Sequence, residues 1–180
     1  YGRYVIAVGG NREAARIAGV PVRRIIFSVY VLSGVLAGVA AVLNLAEQLA
    51  KGQGPRRSVV LALWDREEDG LLGSRAYVSN PPVPLARTVA YVNFDNQGSN
   101  LRPALADLTI MVGAESGGPN LIEAAQSATE ASTLDTRALN LLFGQGRSDH
   151  ATFAAAEVPT VFFTDATGPC YHTIDDEVAV

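Results

Sequence analysis

The stretch SVVLALWDREEDG, Ser58–Gly70, decides how this chain is interpreted. Its first part is almost wholly apolar and rich in branched side chains, a pattern typical of a buried β-strand. Two adjacent carboxylates, Glu67 and Glu68, follow where this strand would end. One carboxylate can bind a metal ion while its neighbour takes a proton from the metal's water. The stretch therefore predicts a strand that leads into a candidate metal site, which needs further ligands, although a Glu-Glu pair on a surface turn can also be only solvated charge.

Two further candidate ligands also follow apolar runs. Asp95 closes YVNFD, and His172 lies in CYHT. Carboxylate and imidazole groups suit zinc. Simpler interpretations compete, since Asp95 could cap a turn and His172 could be a loop histidine. A carboxylate that closes an apolar strand is costly, however, unless it is paired or bound to a metal.

In this order, the motifs resemble the dinuclear-zinc aminopeptidase family, whose relatives include glutamate carboxypeptidase, glutaminyl cyclase and the transferrin receptor ectodomain. The resemblance covers residues 38–180. It implies a layered helix-sheet-helix α/β fold and hydrolysis of a peptide substrate by a metal-activated water. The segments that carry it are GVAAVL at 38–43, LWDREEDGLLGS at 63–74, VNFD at 92–95, GRSDHATF at 146–153, VPTVFF at 158–163 and YHT at 171–173.

The resemblance also implies roles for individual residues. Glu67 would be the general base, Glu68 and His172 would bind one zinc, and Asp95 would bind the other. We expect these side chains to converge in one small site, because open α/β sheets place their sites just past strand ends. In the motif GRSDHATF, Asp149 and His150 are candidates for the substrate pocket, with His150 lining the pocket or capping a helix rather than binding zinc.

The chain also departs from the family. A His in a His-x-Asp element and a bridging Asp should precede Gly38, yet the sequence has only two histidines, His150 and His172, and Ser33 falls at about the bridging position. The fold is therefore expected to be incomplete. We expect at most about one weakly held zinc and impaired hydrolysis, since a lost metal or base costs orders of magnitude in rate.

Residues 1–36 instead resemble the ribose-type permeases of ATP-driven importers. Arg23 and Arg24 are followed by an uncharged run over residues 25–43, which is long enough to cross a bilayer and has its basic pair on one flank. Buried helices of soluble proteins can be as long. We predict a permease-like segment at 1–37 with a candidate transmembrane helix at 25–43, followed by a partial zinc-peptidase domain at 38–180. The resemblances meet around residues 33–43, and a genuine fusion, a recombination and an assembly error all remain open explanations.

Composition excludes other classes of function. The formal net charge of −4 and the scattered arginines give no basic stripe for nucleic acid. The lone Cys170 excludes an intramolecular disulfide. Members of the zinc-peptidase family are often secreted or membrane-anchored, and the N-terminal run suggests association with a membrane. Two alternatives to a peptidase stay open: a non-catalytic domain of the same fold, and a membrane-subunit fragment of a sugar importer.

Periodicity predicts alternating helices and strands around an α/β sheet. One long apolar helix is expected to run from Ile25 through Leu43 to Ala50, which would leave the sheet without the central strands that this region supplies in the family. Ser148 is expected to cap the last helix. The predicted strands are 58–64, 88–94, 107–112 and 160–164, and the other predicted helices are 71–78, 121–131 and 148–156.

Overall fold

A computed structural model of the chain describes residues 1–52, 54–97, 103–144, 146 and 148–165. The chain divides into two compact units, Tyr1–Leu63 and Trp64–Val180. The first unit is helical. The second contains the sheet and all the described candidate site residues.

Three helices form the first unit: α1 (Gly2–Gly10), α2 (Arg12–Ile17) and α3 (Val22–Ala50). The Asn11 side chain accepts a hydrogen bond from the Ala14 backbone N–H and so caps α2. Gly19, with φ of 79°, lies between α2 and α3 in a conformation that favours glycine. A small core of Val8, Ala15 and Ile25 joins the three helices.

Helix α3 confirms the expectation of one long apolar helix that continues to Ala50, although it begins at Val22 rather than Ile25. By length and composition it could cross a membrane, and it is the one such helix in the described part of the chain. Within the helix only Ile25 is buried. Large apolar side chains such as Phe27, Leu36 and Leu43 are exposed in the structure.

A four-stranded mixed sheet is the centre of the described part of the second unit, and it confirms the predicted α/β class. Its order is β1-β4-β2-β3. Strands β1 and β4 are parallel, as are β2 and β3, whereas β2 and β4 are antiparallel. The strands are β1 (Tyr91–Phe94), β2 (Leu108–Val112), β3 (Asp135–Leu139) and β4 (Thr160–Thr164), and the helices are α4 (Leu72–Ser79), α5 (Gly118–Glu130), α6 (Leu141–Gly144) and α7 (His150–Ala155).

The core beside the sheet comes from β2, β4 and α5. Gly113 directly follows β2 and has a φ of 88°, and a Cβ there would lie 3.2 Å from the Thr160 carbonyl oxygen. Glycine is therefore favoured both by the left-handed conformation and by the close approach to β4. The buried members of the core are Met111, Ala114, Ala125 and Val161, with Leu121, Ile122 and Phe163 packed against them.

The predicted strand at residues 58–64 is wrong. These residues lie outside helices and strands, and Val59, Val60 and Leu63 are exposed. A strand needs a neighbouring backbone to pair its N–H and C=O groups. The upstream segment that was expected to supply neighbouring strands is instead helix α3. Its backbone N–H and C=O groups form hydrogen bonds within the helix and cannot pair with a strand.

One strand was missed, and one further prediction is wrong. Strand β3 was not predicted, because Asp135 and Arg137 give it a polar pattern suited to an exposed edge. Ser148 does not cap α7, which begins at His150 and has Asp149 at its N-cap position without a side-chain capping bond. The Ser148 hydroxyl instead binds the Asn93 amide.

Candidate functional site

The segment Asp65–Gly70, called the carboxylate turn below, places Glu67 and Glu68 between Trp64 and helix α4. The Glu67 carbonyl accepts hydrogen bonds from the Gly70 and Leu71 backbone N–H groups, at 3.1 and 2.8 Å. The Glu67 side chain is half-buried and that of Glu68 is exposed. The turn therefore presents two adjacent carboxylates with different access to solvent.

Glycine at position 73 lets helix α4 begin close to this turn. A Cβ at Gly73 would lie 2.9 Å from both the backbone nitrogen and the carbonyl oxygen of Asp65. Backbone atoms cannot move aside as a flexible side chain can. The family-like sequence Gly73-Ser74 therefore has a packing reason in this chain.

Asp95 and Asp165 lie together at the carboxyl edge of the sheet, because β1 and β4 are parallel and each ends immediately before one of them. The Asp95 backbone N–H donates to the Phe163 carbonyl at 3.2 Å, and the Asp165 N–H donates to the Asn96 carbonyl at 3.3 Å. Asp165 is buried, whereas Asp95 is half-buried. Sequence reasoning missed Asp165, although it closes an apolar run just as Asp95 does.

Asp149 and His150 are both buried at the start of α7. Asp149 is 5% exposed, and the His150 ring stacks on Phe162 with centroids 4.4 Å apart. Burial raises the pKa of Asp149, the nearby Ser74 hydroxyl partly offsets the rise, and the charge of Asp95 adds to it. Among the described residues, the Asp149 Oδ1 atom has no hydrogen-bond partner. The two carboxylates therefore lie close enough for the charge of Asp95 to raise the pKa of Asp149.

A chain of hydrogen bonds links the residue before the carboxylate turn to strand β1 and to the start of α7. Trp64 Nε1 donates to the Tyr91 hydroxyl at 2.9 Å, and that hydroxyl donates to Asn93 Oδ1 at 2.8 Å. Asn93 Nδ2 then donates to the Ser148 hydroxyl at 2.8 Å. We call Trp64, Tyr91, Asn93 and Ser148 the polar chain. Sequence reasoning did not identify it.

Burial is the main cause of a raised pKa for Tyr91. The hydrogen bond from Trp64 lowers that pKa, and the negative charges of Asp149 and Asp95 raise it further. The phenol therefore stays protonated well into the alkaline range and can donate to Asn93. The same two charges show that Tyr91, Asp95 and Asp149 share one neighbourhood.

The described members of the predicted ligand set, Glu68 and Asp95, do not by themselves form a metal site. Among the described residues, no three His, Cys, Asp or Glu side chains stand close enough to hold a metal ion. These residues alone do not fit a zinc pair, and we derive no catalytic step through one. His172 lies outside the described residues, so its convergence with Glu68 and Asp95 stays a prediction.

We expect Asp149→Asn to flatten the pH dependence of stability in the acid range. A raised native pKa means that the folded state holds the proton more tightly than the unfolded state, so this stabilisation is complete below the unfolded pKa and is lost as pH rises. The amide cannot ionise, so the variant should be at least as stable as the original chain at pH 7. Urea unfolding from pH 3.5 to 7, followed by the emission of the lone Trp64, measures this.

The matched control is Asp69→Asn, which removes an exposed carboxylate paired with Arg66 at 2.9 Å. Exposed pairs contribute little to stability, about 0–1 kcal/mol. Its pH profile should follow that of the original chain. An Asp149→Asn profile as steep as the original would show that this carboxyl does not carry the acid dependence.

Sequence comparisons confirm both resemblances. Residues 37–180 match the model of the family described as Peptidase family M28, and residues 1–52 match the branched-chain amino acid transport system / permease component family. The first match covers most of the chain. With its α/β sheet and its carboxylates at the carboxyl edge, the chain belongs to Peptidase family M28.

Individual relatives show the same division. The chain is 33% identical over 156 residues to the "Probable glutamate carboxypeptidase LAMP1" of Arabidopsis thaliana, covering 78% of this chain and 22% of that protein. It is 49% identical over 63 residues to the "L-arabinose ABC transporter permease protein AraH" of Azospirillum brasilense, covering 35% of this chain and 18% of that protein. It thus spans about a fifth of the length of these relatives.

A solved structure is also similar. The aminopeptidase from Aneurinibacillus sp. strain AM-1 is 26% identical with a TM-score of 0.45, and the similarity covers 62% of this chain and 26% of that one.

Proposed function

We propose that residues 38–180 are part of a zinc-dependent exopeptidase of the aminopeptidase type, acting on a peptide substrate. The observation that supports this most is the placement of acidic groups in the second unit. Asp95 and Asp149 interact at the carboxyl edge of the sheet, and the polar chain links this edge to the carboxylate turn with Glu67 and Glu68. Parallel strand ends are where α/β folds bind their ligands.

In this proposal Glu67 is the general base. Its half-buried position suits a carboxylate that takes a proton from an attacking water and passes it to the leaving amine. Glu68 and His172 remain the proposed ligands of one zinc, and Asp95 the proposed ligand of another. Asp149 and His150, buried beside this edge, are proposed to shape the substrate pocket.

We also propose that hydrolysis by this chain is impaired. The proposed bridging carboxylate is replaced by Ser33, which lies inside helix α3. No acid occurs between Glu13 and Glu47, and no histidine precedes His150. Helix α3 therefore offers neither of the two upstream ligands, and a zinc held without the bridging group would be held weakly.

Zinc titration tests this proposal. By calorimetry we expect at most about one zinc per chain, bound weakly because a catalytic site usually needs three protein ligands. Glu68→Gln should abolish this binding, while Asp69→Asn, at a neighbouring exposed carboxylate, should retain it. Turnover of an amino-acid anilide should be far below that of a complete relative. Tight binding of two zincs with brisk turnover would contradict the impairment.

A second proposal concerns the membrane, and exposed helix α3 supports it. Residues 1–37 form a permease-like segment in this proposal, and residues 25–43 associate with a bilayer. The two family matches overlap at residues 37–52, most of which belong to α3. This overlap supports a junction of two unlike sequences within a single helix.

A further inference from the structure

We propose that Tyr91 is a positioning residue that holds the carboxylate turn in place against the strand that ends at Asp95. The inference rests on the proposed function, because it concerns how the same site is assembled. Its basis is the polar chain, whose hydrogen bonds connect segments far apart in the sequence. Nothing in the roles assigned above requires Tyr91.

The Tyr91 hydroxyl connects two members of the polar chain. It accepts from the Trp64 indole and donates to the Asn93 amide, so one oxygen atom serves two segments. Trp64 directly precedes the carboxylate turn, and Asn93 lies two residues before Asp95 on the same strand. Displacing this oxygen would therefore disturb the placement of Glu67 and Glu68 relative to Asp95.

The ring of Tyr91 is fixed independently of its hydroxyl. It stacks on Phe153 with centroids 3.9 Å apart and planes 7° apart. Phe153 also packs against the ring of Trp64, with ring centroids 5.9 Å apart. Tyr91→Phe should therefore keep the aromatic packing and remove only the bridging oxygen.

The far end of the polar chain is buried, which makes its bonds costly to lose. Asn93 and Ser148 are both buried, and their side chains lie 2.8 Å apart. A buried amide that loses a donor is left with an unsatisfied carbonyl. Removing the two hydrogen bonds of the Tyr91 hydroxyl therefore affects the carboxylate turn, through Trp64, and also the buried Asn93 side chain.

Tyr91→Phe, in the full chain kept in mild detergent, tests the proposal by amide hydrogen exchange and zinc titration. The Gly70 and Leu71 amides should exchange about 2- to 10-fold faster, as the loss of one hydrogen bond implies. The amides of β2 should not change. The affinity for Zn²⁺ should fall about 10-fold, the usual effect of losing a residue that orients a ligand.

The matched control is Tyr77→Phe. Tyr77 packs in the same aromatic cluster, and its ring centroid lies 5.3 Å from that of Trp64 and 5.9 Å from that of Phe153. Within the part of the chain that the structure describes, the Tyr77 hydroxyl makes no hydrogen bond. This variant should change neither exchange nor zinc affinity. Trp64→Phe breaks the same link from the other side and should reproduce the effect on exchange at the turn.

The outcomes separate this inference from the proposed function. Faster exchange at the turn in a chain that binds no zinc would support the positioning role and contradict the zinc-peptidase proposal. Unchanged exchange at the turn would overturn the positioning role, even if zinc binds. Exchange that rises equally in β2 would also overturn it, because it would show only a general loss of stability.

Discussion

Replacing Phe153 with alanine is expected to lower the free energy of unfolding of the second unit by about 3–5 kcal/mol, the usual cost of removing a buried aromatic ring. Phe153 is 3% exposed. Its ring contacts those of Trp64, Tyr77 and Tyr91. Deleting it leaves a cavity at the point where α7, β1 and the start of the carboxylate turn meet.

The loss is large compared with the total stability of a domain, about 5–15 kcal/mol. Urea unfolding followed by Trp64 emission measures it directly, because this indole packs against the deleted ring. A substantial fraction of the variant should be unfolded at 37 °C.

Phe94→Ala is the matched control for this prediction. Phe94 is 62% exposed and stacks only at the surface, on Phe163 at 5.4 Å. Its removal should cost less than about 1 kcal/mol, since little apolar area returns to water. Equal losses for Phe153→Ala and Phe94→Ala would show that the aromatic cluster around Phe153 stabilises this unit no more than a surface contact does.

Sequence patterns correctly predicted the three strands that consist of a continuous apolar run. The apolar runs that end at Phe94, Val112 and Thr164 are confirmed as β1, β2 and β4. The run at residues 58–64 has the same character but is not a strand, because pairing depends on a neighbour elsewhere in the chain. Periodicity reports what a segment could bury and not whether a partner exists.

The candidate site divides in the same way. The rule that carboxylates follow strand ends found Asp95, and it would also have found Asp165 had it been applied to β4. The polar chain could not be predicted from the sequence. Two of its hydrogen bonds join residues far apart in the sequence, Trp64 to Tyr91 over 27 positions and Asn93 to Ser148 over 55. Trp64, Tyr91 and Asn93 have ordinary strand-like contexts in the sequence, and only the fold shows that their polar atoms meet.

Substituting arginine for Leu36 should weaken the association of the full chain with lipid vesicles by roughly 100-fold, if α3 inserts as proposed. An arginine near the centre of a transmembrane helix costs about 2.5–3.5 kcal/mol on insertion scales. Leu36 lies near the middle of the uncharged run and is 59% exposed. In the original chain its contact with lipid would be favourable, because apolar surface would leave water.

The control is Gln48→Arg, near the C-terminal end of the same helix, where a long basic side chain can reach the interface. Flotation of the full chain with vesicles, with and without alkaline extraction, measures both variants. Leu36→Arg should leave the vesicle fraction, and Gln48→Arg should stay in it. An original chain that remains monomeric in buffer without detergent, and does not float with vesicles, would contradict insertion. The exposed apolar surface of α3 would then have to pack against something other than lipid. A helix with so little buried surface gains little stability from packing within its own unit.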